Sequence, residues 1–347
     1  MDDGRRERRK TASARFAAGE RARRHPEAGA ALIAVGGESD GERLDRFLVG
    51  RMDGFSRAAV QRLIEGGRVL VNGRAVKAHQ RVRAGDRAEV SVPPPAETGL
   101  LAEDVPLVVL YEDGDLLVVD KPPGMIVHPA GRIVAGTLVN ALLARCPDLS
   151  GIGGELKPGI VHRLDKGTSG CIAVAKCDEA HRLISAQFAR REVYKEYLAI
   201  VHGAPPGPRG IVEGLIARHP VERKRMAVRR DRGRESVTRY EVIERFGGFS
   251  WVSLRLHTGR THQIRVHMAH LGCPVLGDPL YGRGRTRTAA GVEAGRPMLH
   301  AWRLGFAHPT SGRALRFEAP IPGDIARVLA ALRAEGAAIK ASTPGRR

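Results

Sequence analysis

Apolar positions along this chain fall into short sets whose spacing changes once, near residue 105. Between Glu42 and Val92 two sets have helical spacing: Leu44, Phe47 and Leu48, then Val60, Leu63 and Ile64. Ser56 stands where the second helix needs an N-cap, and Gly66-Gly67 ends it. Val69-Leu70-Val71 followed by Asn72-Gly73 predicts a strand entering a tight turn, and Ala88, Val90 and Val92 alternate as a later strand. Pro93-Pro94-Pro95 opens a stiff linker running to Asp104. Beyond Val105 short strands dominate, at Leu107 to Leu110, Leu116 to Val119, Cys171 to Ala175, Tyr197 to Val201 and Trp251 to His257. In the last, Val252, Leu254 and Leu256 face one way and Ser253, Arg255 and His257 the other. Helices are predicted between them, over Thr137 to Arg145 and after Asp178, which is placed as a cap for a face of Ala180, Leu183, Ile184 and Phe188.

This mixture predicts an α+β protein with a mainly antiparallel sheet, preceded by a small α/β module. The expected organisation is a disordered basic tail over residues 1–40, a module over 41–92, a linker over 93–104 and a large domain over 105–325. Residues 326–347 are expected to hold a helix end and a second basic tail.

Charge narrows the partners. The 347 residues carry a formal net charge of +19. That favours polyanions, nucleic acid before anionic membrane. Aromatic residues are only 4%, too few for binding a single strand through many stacked bases. No apolar stretch approaches the roughly 20 residues of a membrane span, and the first residues lack an apolar signal core, so a cytoplasmic protein is expected. Between Gly41 and Val92 there are 11 Arg or Lys and 6 Asp or Glu, and Arg43, Arg46, Arg51, Arg57 and Arg62 lie away from the apolar positions. Clustered guanidiniums can bind phosphates bidentately. A solvated charged face has the same composition.

Cys146, Cys171, Cys177 and Cys273 form no C-x-x-C pair and read as buried, reduced thiols. His267 and His270 share a helix face, but neither Glu nor Cys completes a metal site with them. Gly151-Ile152-Gly153-Gly154 lacks the Gly-Lys-Ser/Thr of a phosphate loop and reads as a flexible loop. Neither metal nor cofactor is expected.

The most informative stretch is Lys157 to Gly170, a polar, glycine-containing segment directly before a strand. Asp165 there lies between Arg163 and Lys166, whose charges favour an ionised carboxylate able to act as nucleophile or base. On these residues alone, an Asp that caps a turn through Thr168 and Ser169 is an equal reading.

His162-Arg163-Leu164-Asp165-Lys166-Gly167-Thr168-Ser169-Gly170 resembles the signature of the RluA-type pseudouridine synthases. Asp120-Lys121-Pro122-Pro123-Gly124 with Val127-His128-Pro129, Lys195 to Val201, Thr258 to His267, Leu299-His300-Ala301 and Phe306 to Pro309 resemble further motifs of that family. The Arg43 to Leu48 and Ser56 to Gly73 segments resemble the S-four (αL) RNA-binding domain. The resemblance implies that Asp165 is the catalytic carboxylate, attacking the ribose or removing a proton to form a glycal. It also implies that Arg265 pairs with Asp165, that Tyr197 packs on the target base, and that Arg163 enters the RNA where that base is extruded. For Tyr197 a core tyrosine, and for Arg163 a phosphate contact, remain the alternatives. The stretch His219 to Met226 resembles the RluD-like branch, which modifies the large-subunit helix at the subunit interface. The implied partner is therefore large-subunit ribosomal RNA or a pre-ribosomal particle, with no obligate protein partner. Two other readings stay open: an inactive, ribosome-associated RNA-binding protein, and a nucleoside glycosidase, for which a second carboxylate beside Asp165 is not evident.

Overall fold

The computed structural model describes residues 29–342, apart from 53–54, 56, 93–99, 130, 132, 147–148, 150–157, 283, 285 and 287–290. Ser56, the Gly151 to Gly154 loop and the first 28 residues thus lie outside the described residues. The chain divides into two compact units, Met1–Pro94 and Pro95–Arg347.

In the first unit, strands β1 (Gly29–Ala34), β2 (Val69–Val71), β3 (Arg74–Ala75) and β4 (Arg87–Val92) form an antiparallel sheet in the order β1-β4-β2-β3. Helices α1 (Leu44–Val49) and α2 (Arg57–Glu65) contribute Leu44, Phe47, Leu48, Val60 and Ile64 to a core shared with Val69, Val71, Ala88 and Val90. Asn72 and Gly73 both adopt positive φ, 52° and 75°, as the two-residue hairpin between β2 and β3 requires. Strand β1 corrects the sequence expectation, because it lies inside the stretch read as disordered tail. Gly29 pairs with Val92 and Ala34 with Arg87, so β1 covers an edge of β4 that would otherwise stand open. Leu32 remains exposed on it, which explains why no apolar alternation announced the strand.

The second unit is built on ten strands: β5 (Val108–Glu112), β6 (Leu116–Lys121), β7 (Ser169–Ala175), β8 (Tyr194–His202), β9 (Arg209–Arg218), β10 (Met226–Arg229), β11 (Arg234–Phe246), β12 (Phe249–Leu256), β13 (Leu299–Ala307) and β14 (Ala314–Glu318). The path is β10-β9-β11-β12-β8-β13-β7-β6-β5. Every pairing is antiparallel except β13 with β7, where His300 lies against Ser169 and Ala301 against Gly170. From Arg303 onward β13 pairs instead with β14. Among the described residues, four helices cover the two faces: α3 (Leu138–Arg145), α4 (Asp178–Ala189), α5 (Gln263–His270) and α6 (Gly323–Ser342).

Alternation along the strands sorts the cores. Leu117, Val119, Ile172 and Val174 pack with α3, whereas Leu116, Val118, Ala173 and Ala175 pack with α4 through Ala180 and Ile184. On the other half, Ala199, Val201, Val252 and Leu254 meet Ile264 and Met268 of α5, and Leu198, Ile200 and Trp251 meet α6. Because α6 buries Ile325, Val328, Leu329 and Leu332, the helical part of the stretch read as helix end and basic tail belongs to this core. Residues 100–104, read as linker, are likewise tied in: Asn140 Nδ2 donates to Leu101 O at 2.8 Å and Glu103 N donates to Asn140 O at 3.0 Å.

Thr137 caps α3 with a capping box closed by Asn140, but Asp178 does not cap α4; Cys177 holds that position and Asp178 begins the first turn. Cys171 and Cys273 are buried while Cys146 and Cys177 are half-buried, and none of the four is joined in a disulfide. Burial pushes the Cys171 thiol up to about 12 and that of Cys273 to about 11, so both stay protonated.

Candidate active site

The loop carrying Asp165 enters β7 and is fixed from several directions. Leu164 is buried in the α3-side core. Gly124 N donates to Lys166 O at 2.8 Å, and Arg296 Nη1 donates to Gly167 O at 3.0 Å. Arg296 also grips Asp324 of α6, through Nε at 2.6 Å and Nη2 at 2.9 Å. Thr168 N closes the turn on the backbone carbonyl of Asp165 at 3.0 Å, while Ser169 Oγ bonds His300 Nδ1 of β13 at 2.9 Å. The turn is therefore made by backbone, and the Asp165 side chain is directed elsewhere. Arg265 Nη1 donates to Asp165 Oδ2 at 3.0 Å, bridging 100 residues of sequence.

Arg265 is the third residue of α5, whose N-cap, His262, takes a left-handed conformation with φ of 57°. The helix begins at Gln263, directly after the Thr258 to His262 part of the motif. Burial works against the Arg265 charge, but hydrogen bonds and charges from Asp278 and Asp165 outweigh it and hold the guanidinium above its ordinary range. Tyr197, on β8, is half-buried against the cores on the α3 and α5 sides. Burial first, and then the Asp165 carboxylate, push its phenol up, so it stays protonated at neutral pH. An open cleft is lined by Arg163, Asp165, Tyr197, Arg260, His262 and Arg265. Arg163 is exposed at this cleft.

Sequence reasoning missed several groups around this cleft. Asp278 receives Arg265 Nε at 2.6 Å and Nη2 at 2.9 Å. His262 has Nε2 4.0 Å from Asp165 Oδ2 and Nδ1 3.0 Å from the Tyr281 hydroxyl. Burial lowers the His262 pKa, against the pull of Asp165. Lys121 is fully buried, with Nζ donating to Pro122 O at 2.7 Å and Met125 O at 2.9 Å. Its burial, then Arg296, lower its pKa to about 7. The signal for Asp278 and Tyr281 was present as Gly277-Asp278-Pro279-Leu280-Tyr281-Gly282, polar residues bracketed by glycines. His267 is buried between Ser236 and Thr238, both at 2.9 Å, and no group of three metal-ligating side chains occurs among the described residues.

The arginines of the first unit separate into two kinds. Arg43 donates to Asp45 at 3.1 and 3.0 Å, and Arg57 donates to it at 3.0 and 2.8 Å. Arg43 first, then Arg57 and Gln61, hold the buried Asp45 carboxyl well below its usual range despite its burial. Two of the expected RNA-contacting arginines thus share one buried carboxylate, whereas Arg46 and Arg62 are exposed.

Residues 115–270 match the family model of RNA pseudouridylate synthases, and residues 42–87 match the S4 domain. The uncharacterized RNA pseudouridine synthase YlyB of Bacillus subtilis is 46% identical over 304 residues, covering 88% of this chain and 98% of its own. This chain belongs to the RNA pseudouridylate synthase family. Ribosomal large subunit pseudouridine synthase D of Xanthomonas campestris is 43% identical over 305 residues, covering 86% of this chain and 91% of its own. Among solved structures, human RNA pseudouridylate synthase domain containing 4 aligns with a TM-score of 0.52 at 26% identity, over 65% of this chain and 93% of that one. As a member of this family the protein is an RNA-modifying isomerase with an N-terminal S4 domain. Among the described residues, no helix is long and apolar enough to cross a membrane.

Proposed function

We propose that this synthase isomerises uridine to pseudouridine in large-subunit ribosomal RNA, in the cytoplasm, with Asp165 as the reacting carboxylate. The observation that carries the assignment is the 3.0 Å contact between Asp165 and Arg265, in a cleft also lined by Tyr197. The choice of RNA draws on relatives named ribosomal large subunit pseudouridine synthase D.

The reaction breaks the bond between ribose C1′ and uracil N1, turns the base and joins C1′ to C5; the C5 proton is lost and N1 regains one. Neither redox change nor hydrolysis enters this balance. Asp165 serves it by attack on C1′ or by removing the C2′ proton. The target base must first leave its stack, at a cost of a few kcal/mol. Arg163, exposed at the cleft, fills the space the base vacates. The neutral phenol of Tyr197 supports the base and can donate a proton to it. In the S4 domain, Arg46 and Arg62 contact phosphates freely, and Arg43 and Arg57 do so from positions set by Asp45.

The test is Asp165→Asn, which keeps the shape and removes the charge. Pseudouridine formation in large-subunit RNA fragments should be abolished while RNA affinity stays within a few fold. Appreciable activity in the purified variant would remove Asp165 from this role. Mapping pseudouridines in ribosomal RNA with and without the gene checks the substrate: unchanged large-subunit sites would refute it.

A further inference from the structure

We propose that Asp278 is a positioning residue, which holds Arg265 so that its guanidinium offers Asp165 one hydrogen bond and no more. The inference rests on the functional reading above. Asp278 has no side-chain exposure and accepts four hydrogen bonds from the described residues. Arg265 Nε and Nη2 donate to it at 2.6 and 2.9 Å, and the backbone N–H groups of Leu280 and Tyr281 donate at 2.9 and 3.1 Å. Three of these bonds fall on Oδ1 and one on Oδ2, and with no exposed surface the Asp278 side chain does not touch substrate. Its effect on the chemistry must pass through Arg265.

The geometry of a guanidinium makes this consequential. Arginine and a carboxylate left to themselves favour a two-pronged pairing that occupies both carboxylate oxygens. Here that fork is taken by Asp278, and Arg265 reaches only Oδ2 of Asp165, through Nη1. The guanidinium lies 5.2 Å from the centre of the Tyr281 ring, which adds a wall to its seat. One positive charge is also shared by two carboxylates. The pairing therefore orients Asp165 without cancelling its negative charge, the property a nucleophile or base has to keep.

The turn bearing Asp278 is built for this placement. Gly277 has φ of 75°, and a Cβ there would collide with the carbonyl oxygen of Arg296 and lie 2.7 Å from that of Ala294. Gly282 N closes the turn on Asp278 O at 2.9 Å. Tyr281, from the same turn, accepts from Met226 N at 2.8 Å and bonds His262 at 3.0 Å, so one short segment fixes both neighbours of Asp165.

The test uses full-length protein with Asp278→Asn, Asp278→Glu, Arg265→Gln and the double variant Arg265→Gln with Asp278→Asn. Asp278→Asn should slow single-turnover pseudouridine formation at saturating RNA by roughly 100-fold, the scale of a misplaced catalytic geometry. RNA affinity should stay within about twofold. In the Arg265→Gln background the same change should cost nothing further, because residues acting as one unit are not additive. An undiminished rate, or a full second loss in the double variant, overturns the proposal. Should Asp278→Asn fail to fold, Asp278→Glu, which keeps the charge on a longer arm, is expected to be slow yet folded; a wild-type rate there refutes precise positioning. A readout independent of catalysis is the Arg265 Nε–H signal in arginine-labelled protein. It should resist exchange in wild type and in Asp165→Asn and lose that protection in both Asp278 variants; persistence in either overturns the proposal. If wild-type protein forms no pseudouridine, the functional reading fails, while this signal still decides the positioning.

Discussion

The motif around Asp165 is contiguous and could be read from sequence, but the surroundings of Asp165 could not. Arg265 and Asp278 reach the cleft from positions 100 and 113 residues further along the chain, and no local spacing announces such a meeting. Physical reading of the segment left a turn-capping Asp equally open; the backbone carbonyl makes that turn, which frees the carboxylate for Arg265. Tyr197→Phe tests the division between packing and proton transfer. The ring is retained, so RNA affinity and melting temperature should hold, while the rate should fall by about 10²-fold or more if the hydroxyl moves a proton. A small loss, under about threefold, would leave Tyr197 with the stacking role alone. The same logic applies to the S4 arginines. Arg43 and Arg57 share Asp45, so Asp45→Asn should disturb RNA binding and stability together, whereas Arg62→Ala should weaken RNA binding with no change in melting temperature. Equal effects from the two substitutions would contradict the distinction between anchored and exposed arginines.

Helices and strands with clean apolar alternation were legible, including the α2 face of Val60 and Ile64 and the inward row of Val252, Leu254 and Leu256. Strand β11 was not, because its inward residues include Ser236 and Thr238, polar groups that look solvent-facing until their partner is known. That partner is His267 of α5, which bonds both hydroxyls. The arrangement carries a pH dependence. Burial first, then His270, lowers the His267 pKa to about 4, against an ordinary 6.5. Between those values the unfolded chain binds the proton and the folded one does not, so this contribution is complete above about pH 6.5 and is lost as the pH falls toward 4. The loss amounts to about 3 kcal/mol. In urea titrations, His267→Gln should flatten the stability slope between pH 6.5 and 4.5; an unchanged slope would place the dependence elsewhere. At the start of β7, Gly170 has φ of 113° and faces the backbone of Ala301. Gly170→Ala should destabilise the second unit by about 2 kcal/mol or more. It should also reduce activity, through the loop that carries Asp165. A melting temperature equal to wild type would show that the seam can yield.

The two compact units divide the work as charge and chemistry divide along the chain. In the proposed function the first unit contributes dispersed phosphate contacts, each expected to add about 0.9 to the salt slope by analogy with B-DNA. A chain lacking residues 1–94 should bind RNA more weakly and with a flatter salt dependence, yet keep its single-turnover rate at saturating RNA and low salt. A folded, saturable truncation with no chemical step would show that the S4 domain helps build the catalytic cleft. Within the second unit, the parallel seam of β7 and β13 joins segments 131 residues apart, and Arg296 and Asp324 then clamp the Asp165 loop to α6. During synthesis those partners leave the ribosome well after β5, β6 and β7. The nascent chain can complete β5, β6 and β7 while Asp165 still lacks Arg265, the β13 seam and the α6 clamp, so with Asp165 in its proposed role modification of RNA has to await the synthesis of α6.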